Sequence, residues 1–284
     1  MTFQEKLDNI AKKNKSLVCV GLDSNITKLS TGGKDFPVST PTEQYLSLLS
    51  FNKYIIEETF DLVCAYKLNT AFYESIGHEG VNALKDTCDY LKQKYPEIPI
   101  IIDAKRADIG NTNKGYVQFV FTYLGADAVT LHPYLGEEAL RPFLEQKDRG
   151  IIILCRTSNL GAGEFQDLKV SLRGNLCNDM IELYQFVAYQ VAKKWNKNKN
   201  CLLVMGATYP NELKEVRKIV GEMTLLIPGI GAQGGDLKAT LRAGLNSKRQ
   251  GLIINSSRGI IFAKNPREET MKLREEINKI VIKF

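Results

Sequence analysis

Eight apolar, β-branched runs punctuate the chain, and segments of helical period fill the intervals between them. The runs are Ser16–Asp23, Leu62–Asn69, Pro99–Arg106, Ala128–Pro133, Gly150–Thr157, Cys201–Ala207, Thr224–Gly231 and Gly251–Ser257. The clearest, three isoleucines after Pro99, predicts a buried parallel strand. Phe3, Leu7 and Ile10 recur at helical spacing near the N-terminus. Pro41–Phe60 carries Tyr45, Leu48, Leu49, Ile55 and Ile56 on one side, and Asn175–Trp195 carries Leu176, Met180, Leu183, Val187 and Val191. Pro266–Lys283 opens on a proline and acids, which suits a helix start. Strict strand–helix alternation implies parallel strands joined by right-handed crossovers. Eight such units in 284 residues predict an α/β fold, a single (β/α)8 barrel of the TIM type. That architecture takes about 250 residues. A doubly wound open sheet is the alternative. No repeat, low-complexity tract or linker divides the chain, so residues 1–284 read as one catalytic domain.

Barrel enzymes hold their chemistry at the C-terminal ends of the strands, and there the polar residues of this chain collect. Strand one ends at Asp23, strand two at Lys67-Leu68-Asn69, and strand three runs into Asp103-Ala-Lys105-Arg-Ala-Asp108. Side chains on a strand alternate with period two, so Asp103 and Lys105 share a face. Charges pressed together at an apolar strand end are costly unless paired. A buried pair that only pins a loop would satisfy that demand. Facing Lys67, with Asp23 beside them, Asp103, Lys105 and Asp108 make a fuller array. Alternating ammonium and carboxylate groups hold one another charged at neutral pH. A lysine so placed can protonate a carbanion, and the adjoining carboxylate can crowd a substrate carboxylate whose charge disappears during reaction. This chemistry suits decarboxylation or enolisation better than hydrolysis.

A second constellation closes the barrel. Strand seven ends in Pro228-Gly-Ile-Gly-Ala-Gln233-Gly-Gly and strand eight in Asn255-Ser-Ser-Arg258-Gly. Glycines let backbone N–H groups approach an anion, and arginine binds phosphate bidentately. Loops seven and eight are the usual phosphate site of a barrel. Tight turns alone would explain the glycines; Arg258 beside them favours phosphate. Gly229 to Gly234 matches a dinucleotide-binding pattern by letter, but it follows the seventh strand and no ribose-binding acid ends the next.

Composition narrows the field. Two histidines, His78 and His132, cannot make a His-rich metal site, and His132 beside Pro133 reads as a hydrogen-bonded structural residue. The net charge is a mild +6, and the basic patch Lys193–Lys199 stands without aromatic interleaving, so no nucleic-acid partner is expected. Six cysteines contain no CxxC pair, and Cys19, Cys64, Cys155 and Cys201 sit in strand-like runs. That usage fits a reducing compartment. With no signal-peptide core and no membrane-spanning window, a soluble cytoplasmic protein is expected.

The stretch Asp103-Ala-Lys-Arg-Ala-Asp-Ile-Gly-Asn-Thr112 resembles the DxKxxDI..T signature of the orotidine 5′-phosphate decarboxylase family. Val20-Gly-Leu-Asp23, Lys67 followed by Ala71-Phe-Tyr-Glu74, and the strand-seven glycine loop agree with it. The last two, with the Lys-Arg-Ala-Asp variant, are similar to the family's longer bacterial subgroup. The resemblance runs from strand one to strand eight. It implies cofactor-free decarboxylation of orotidine 5′-phosphate to uridine 5′-phosphate, the last step of pyrimidine nucleotide synthesis, with no metal. Lys105 matches the proton donor to pyrimidine C6, and Asp103 the acid facing the substrate carboxylate. Lys67 and Asp108 match the remaining charged members, and Asp23 a ribose-contacting acid. Ser158 aligns with a pyrimidine-reading serine, and Gln233 and Arg258 with a phosphate-binding pair. Asp108, Ile109 and Thr112 match positions that reach into a partner subunit's site, so a homodimer is implied. The segment Leu160–Val170 and the strand-seven loop are candidate lids.

The nearest rival is a sugar-phosphate barrel of the same superfamily, a 3-keto-gulonate-phosphate decarboxylase or hexulose-phosphate synthase. These share DxKxxD but need Mg²⁺, which wants oxygen ligands. Lys67 stands where such enzymes supply an acid. A non-catalytic nucleotide-phosphate sensor would keep Gln233 and Arg258 but has no need of Lys105.

Overall fold

A computed structural model describes residues 1–31, 34–171, 180–231 and 234–283. Eight parallel strands close into a barrel. They are β1 (Val18–Gly21), β2 (Ala65–Asn69), β3 (Ile100–Arg106), β4 (Ala128–Leu131), β5 (Gly150–Arg156), β6 (Cys201–Met205), β7 (Leu225–Pro228) and β8 (Leu252–Ser256). Each lies inside one of the eight predicted runs. Their neighbours follow sequence order, and β1 closes the ring by pairing with both β2 and β8. The open sheet is thereby excluded.

The isoleucine runs explain the closure. Ile100–Ile102 and Ile151–Ile153 are buried to within 1%, facing the barrel interior on one side and the helical ring on the other. Burying one such side chain is worth about 1.5–3 kcal/mol, and β-branching suits the pleat. Helices form where predicted, at Phe3–Asn14, Pro41–Thr59 and Pro266–Ile282. The first two start on capping boxes, Thr2 with Glu5 and Thr40 with Glu43. These boxes satisfy orphan N–H groups of the first turn.

The helix expected over Asn175–Trp195 is shorter. Residues 172–179, including Leu176 and Cys177, lie outside the described residues. Met180–Glu182 is a strand, antiparallel to Lys169–Ser171, and the helix begins only at Leu183. Met180 fitted the apolar stripe by spacing, yet it is exposed on the hairpin. Pairing with Ser171 overrides the local periodicity there.

The Phe3–Asn14 helix closes the N-terminal end of the barrel. Phe3 packs against Gly150, where a Cβ would lie 2.6 Å from its ring. Gln4 accepts from Thr224 and Lys6 pairs with Asp127, just ahead of β7 and β4. The opposite, C-terminal end is left open. Among the described residues no helix is long and apolar enough to cross a membrane.

Candidate active site

At the open end, β1, β2 and β3 each deliver one or more charged residues. Lys67, on β2, is 3% exposed. Its Nζ lies 2.9 Å from Asp103 Oδ2 and 3.4 Å from Asp23 Oδ1. Asp103 Oδ1 takes Lys105 Nζ at 2.7 Å and accepts from Thr130 Oγ1 at 2.7 Å. The result is a continuous row, Asp23–Lys67–Asp103–Lys105, that alternates in sign. Burial alone would raise the Asp103 pKa, but Lys67 and Lys105 outweigh it and hold the carboxyl well below the usual range. Burial would likewise lower Lys67, and Asp103 and Asp23 raise it above the ordinary lysine value. Lys67 and Asp103 thus keep each other ionised. Cys19 lies beneath, its thiol pushed up to about 12 by burial, and so offers no thiolate.

Lys105 reaches Asp103 through a distortion. Its φ is +47°, a left-handed conformation that costs a non-glycine residue about 1 kcal/mol. The pairing of β3 with β4 slips between Ile102 and Arg106, and the Lys105 N–H bonds to Thr130 Oγ1 at 3.0 Å instead of to a strand carbonyl. Thr130 therefore holds both the backbone of Lys105 and the carboxylate beside it. The Lys105 side chain is 49% exposed, at the floor of a cavity of 560 Å³. That volume suits a mononucleotide-sized ligand.

The cavity runs from this row to the ends of β7 and β8. Leu154, Val204 and Leu226 form an apolar wall, and Ser158, Gly229 and Arg258 line the far side. Arg258 is exposed, and its side chain makes no hydrogen bond or ion pair among the described residues, so its guanidinium is open to an anion. Asn255 is 6% exposed and lines the same space. Its Nδ2 donates to Ser257 Oγ at 3.3 Å, and its Oδ1 has no hydrogen-bond partner among the described residues. Gly21 makes room for this pair, since a Cβ there would fall 1.9 Å from Ser257 Oγ.

Comparison with known proteins agrees with this geometry. The model of the orotidine 5′-phosphate decarboxylase / HUMPS family matches residues 16–273. The chain is 44% identical to an orotidine 5′-phosphate decarboxylase of Janthinobacterium sp. (strain Marseille) over 288 residues, 99% of this chain and 100% of the relative. It is also 44% identical to the Cellvibrio japonicus enzyme of that name, covering 98% of both. Among solved structures it is similar to Leishmania donovani OMP decarboxylase, with TM-score 0.85, 37% identity, and 99% and 100% of the two chains covered. The chain belongs to the orotidine 5′-phosphate decarboxylase family.

The structure brings together Asp23, Lys67, Asp103, Lys105, Ser158 and Arg258 around one cavity. Gln233 lies outside the described residues. Asp108, Ile109 and Thr112 are not brought into the cavity of their own chain. The residue pattern puts Asp108 in the charged array, and the resemblance puts it in a partner's site; within its own chain its Oδ1 accepts from the Ile109 N–H at 2.7 Å, and its own N–H donates to Asn113 Oδ1. Chain turning after β3 carries it away from Lys105. His132 accepts from the Tyr134 N–H at 3.3 Å and does not line the cavity, in keeping with a structural histidine.

Leu160–Val170 is tied to the rim. Arg156 Nη2 donates to Asp167 at 3.1 Å, and its guanidinium stacks 3.9 Å over Tyr209. Gln166, which lines the cavity, accepts from the Thr157 N–H at 2.9 Å. Sequence reasoning missed Thr130, Asn255 and Gln166 as site residues. Asn255 had a readable signal, a polar side chain near the end of an apolar run; Thr130, a β-branched residue inside such a run, did not.

Proposed function

We propose that the cavity holds orotidine 5′-phosphate with its phosphate at Arg258 and its pyrimidine over Asp103 and Lys105. Decarboxylation of this nucleotide to uridine 5′-phosphate, the last step of pyrimidine nucleotide synthesis, is the activity that family membership assigns to the chain. The roles given to individual residues, and the absence of a cofactor, are our reading. The observation that carries it is the alternating row Asp23–Lys67–Asp103–Lys105.

In this reading Asp103, held ionised, faces the substrate carboxylate, and their repulsion ends when that charge leaves as CO₂. The C6–carboxylate bond breaks and its electron pair stays on C6. The Lys105 ammonium stabilises that charge as it develops and then gives C6 a proton, regaining one from water through its half-exposed side chain. The apolar wall of Leu154, Val204 and Leu226 lowers the local dielectric and strengthens the field of the row. Asp23 binds the ribose, and Ser158 reads the pyrimidine. Gln233 and Arg258 bind the phosphate, whose remote binding energy stabilises the closed, reactive arrangement. An Mg²⁺-dependent reaction is disfavoured by Lys67, an ammonium where the metal would need an acid.

The homodimer belongs to the same reading. Ile109 is 62% exposed and Thr112 is exposed, outside their own cavity, Ile109 on the loop that leaves β3 and Thr112 in the first turn of the helix Gly110–Val117 that follows. We assign them, with Asp108, to the site of a second copy. Mixing two inactive variants, Lys105→Ala and Asp108→Ala, should then restore turnover through hybrid dimers with one intact site. No recovery after subunit exchange breaks the dimer assignment. We also place residues 1–284 as one catalytic unit in the cytoplasm, where its five described cysteines, all buried free thiols, remain reduced.

The decisive assay follows the absorbance of the orotate ring in protein pretreated with a chelator. Full turnover of orotidine 5′-phosphate is expected, and orotidine without its phosphate should react orders of magnitude more slowly. Loss of activity on chelation, or equal rates with the two compounds, overturns the roles given above.

A further inference from the structure

We propose that a buried hydrogen-bond network behind the end of β1, made by Ser24, Asn52, Tyr73 and Thr87, positions Asp23 for the substrate. Tyr73 and Ser24 are then positioning residues of the site although neither lines the cavity. The inference rests on the assignment of Asp23 to the ribose made above.

Asp23 has little of its own to fix it. Its carboxylate is 18% exposed, and its contact with Lys67 is 3.4 Å, the longest in the row. The backbone on either side is fixed instead. Leu22 is fully buried; its N–H donates to the Lys67 carbonyl at 2.8 Å and its carbonyl accepts from the Tyr73 hydroxyl at 2.9 Å. On the other side, Ser24 Oγ donates to Asn52 Oδ1 at 2.6 Å. Asn52, in the Pro41–Thr59 helix, completes the link by donating from Nδ2 to Tyr73 and to Thr87, each at 3.0 Å. Thr87 passes its proton to the Ala83 carbonyl at 2.7 Å.

The proton directions are consistent throughout. Each of these contacts has a donor and an acceptor, and none of the four side chains has a buried polar atom left without a partner. Burial raises the Tyr73 phenol above its ordinary range, so it stays a neutral donor. All four side chains are fully buried, in an outer layer where apolar packing would be cheaper. A fully satisfied buried network specifies geometry more than it adds stability. Here it links the loop after β1 to the helices that start at Pro41, Thr70 and His78. Gly80 brings the last of these close, since a Cβ there would meet the Tyr73 carbonyl oxygen at 1.9 Å. The short segment bracketed by both anchors contains one charged residue, and that is Asp23.

The test is a double-mutant cycle between Tyr73→Phe and Asp23→Ala. Alone, Tyr73→Phe should raise KM for orotidine 5′-phosphate about tenfold, the size of one well-placed hydrogen bond, with kcat within about twofold. In the Asp23→Ala background the same change should move KM less than about twofold, because the residue it acts through is gone. An equal factor in both backgrounds overturns the inference. So does a fall in Tm with unchanged kinetics. If Tyr73→Phe fails to fold, Ser24→Ala takes its place in the same cycle, with an expected rise of about threefold. Asp23→Ala that leaves KM unchanged breaks the ribose assignment as well. A wild type without turnover breaks the wider reading of the site.

Discussion

The barrel carries a lysine–aspartate pair at each end, and their surroundings differ. At the N-terminal end Lys6 Nζ meets Asp127 Oδ2 at 2.8 Å, and the same oxygen accepts from the Ile100 N–H at 2.8 Å. Both side chains are mostly covered by the Phe3–Asn14 helix and its neighbours, at 13% and 16% exposed. That acid is shared between Lys6, the backbone and, more distantly, Arg149 at 4.0 Å, and it opens onto nothing. At the C-terminal end Asp103 serves two ammonium groups and a hydroxyl. Both ammonium groups line a 560 Å³ cavity, and one of them, Lys105, is half exposed to it. An ion pair at a strand end therefore says little by itself. The informative feature is a row of charges whose last member is left facing open space.

Removing that last member should have the largest effect on catalysis. Lys105→Ala is expected to lower kcat by at least about 10³-fold, the combined reach of lost proton transfer and lost electrostatic stabilisation. The folded state should hardly notice, because the side chain is half exposed and such pairs add little stability. Binding of uridine 5′-phosphate, measured calorimetrically, should persist. A variant within tenfold of the wild-type rate would remove the contrast between the two ends.

Asp103→Asn should damage fold and activity together. It strands the buried Lys67 ammonium without its nearest partner, a loss of about 3–5 kcal/mol for a broken buried pair. The pH dependence has a definite sign. The Asp103 pKa is depressed in the folded state from an ordinary 3.8. Its stabilisation is complete above that ordinary value and is lost as pH falls through the lowered one. Lys67 is raised from an ordinary 10.5, so its share is complete below 10.5 and is lost as pH rises through the raised value. Urea denaturation should thus show a constant gap between wild type and variant across neutral pH, narrowing below about pH 4. A gap that does not narrow in acid means that Asp103 does not carry the charge.

Much of this contrast was legible in the chain. The eight strands showed themselves because buried parallel strands read as apolar runs, and Asp103 and Lys105 shared a face by simple alternation. What stayed hidden was non-local. The contact between those two residues depends on the left-handed turn at Lys105 and on Thr130. A β-branched threonine within the run Ala128–Pro133 looks like strand filler until β4 is laid beside β3. Asp108 is near the array in sequence, yet the loop after β3 takes it outside the cavity of its own chain, a placement that alternation along the strand could not give and that only the family resemblance implied. Met180 fitted a helical stripe and serves a hairpin, because short apolar periodicities cannot decide between the two without the partner strand.

The smallest expected effect tests the other end. Lys6→Met keeps the length and apolar stem of the side chain and removes only its charge. Asp127 keeps its bond from the Ile100 N–H, and Arg149 Nη1 stands 4.0 Å from its other oxygen, so the acid is not abandoned. The expected cost is about 1 kcal/mol of stability, read as a small fall in the denaturation midpoint with an unchanged slope. Catalysis should be untouched, with kcat/KM within about twofold, because the closed end shares no charge with the cavity and the barrel between them is packed isoleucine and leucine. A tenfold loss of kcat/KM in this variant would mean that the two ends are coupled through the barrel, and that covering an ion pair does not isolate it from the site.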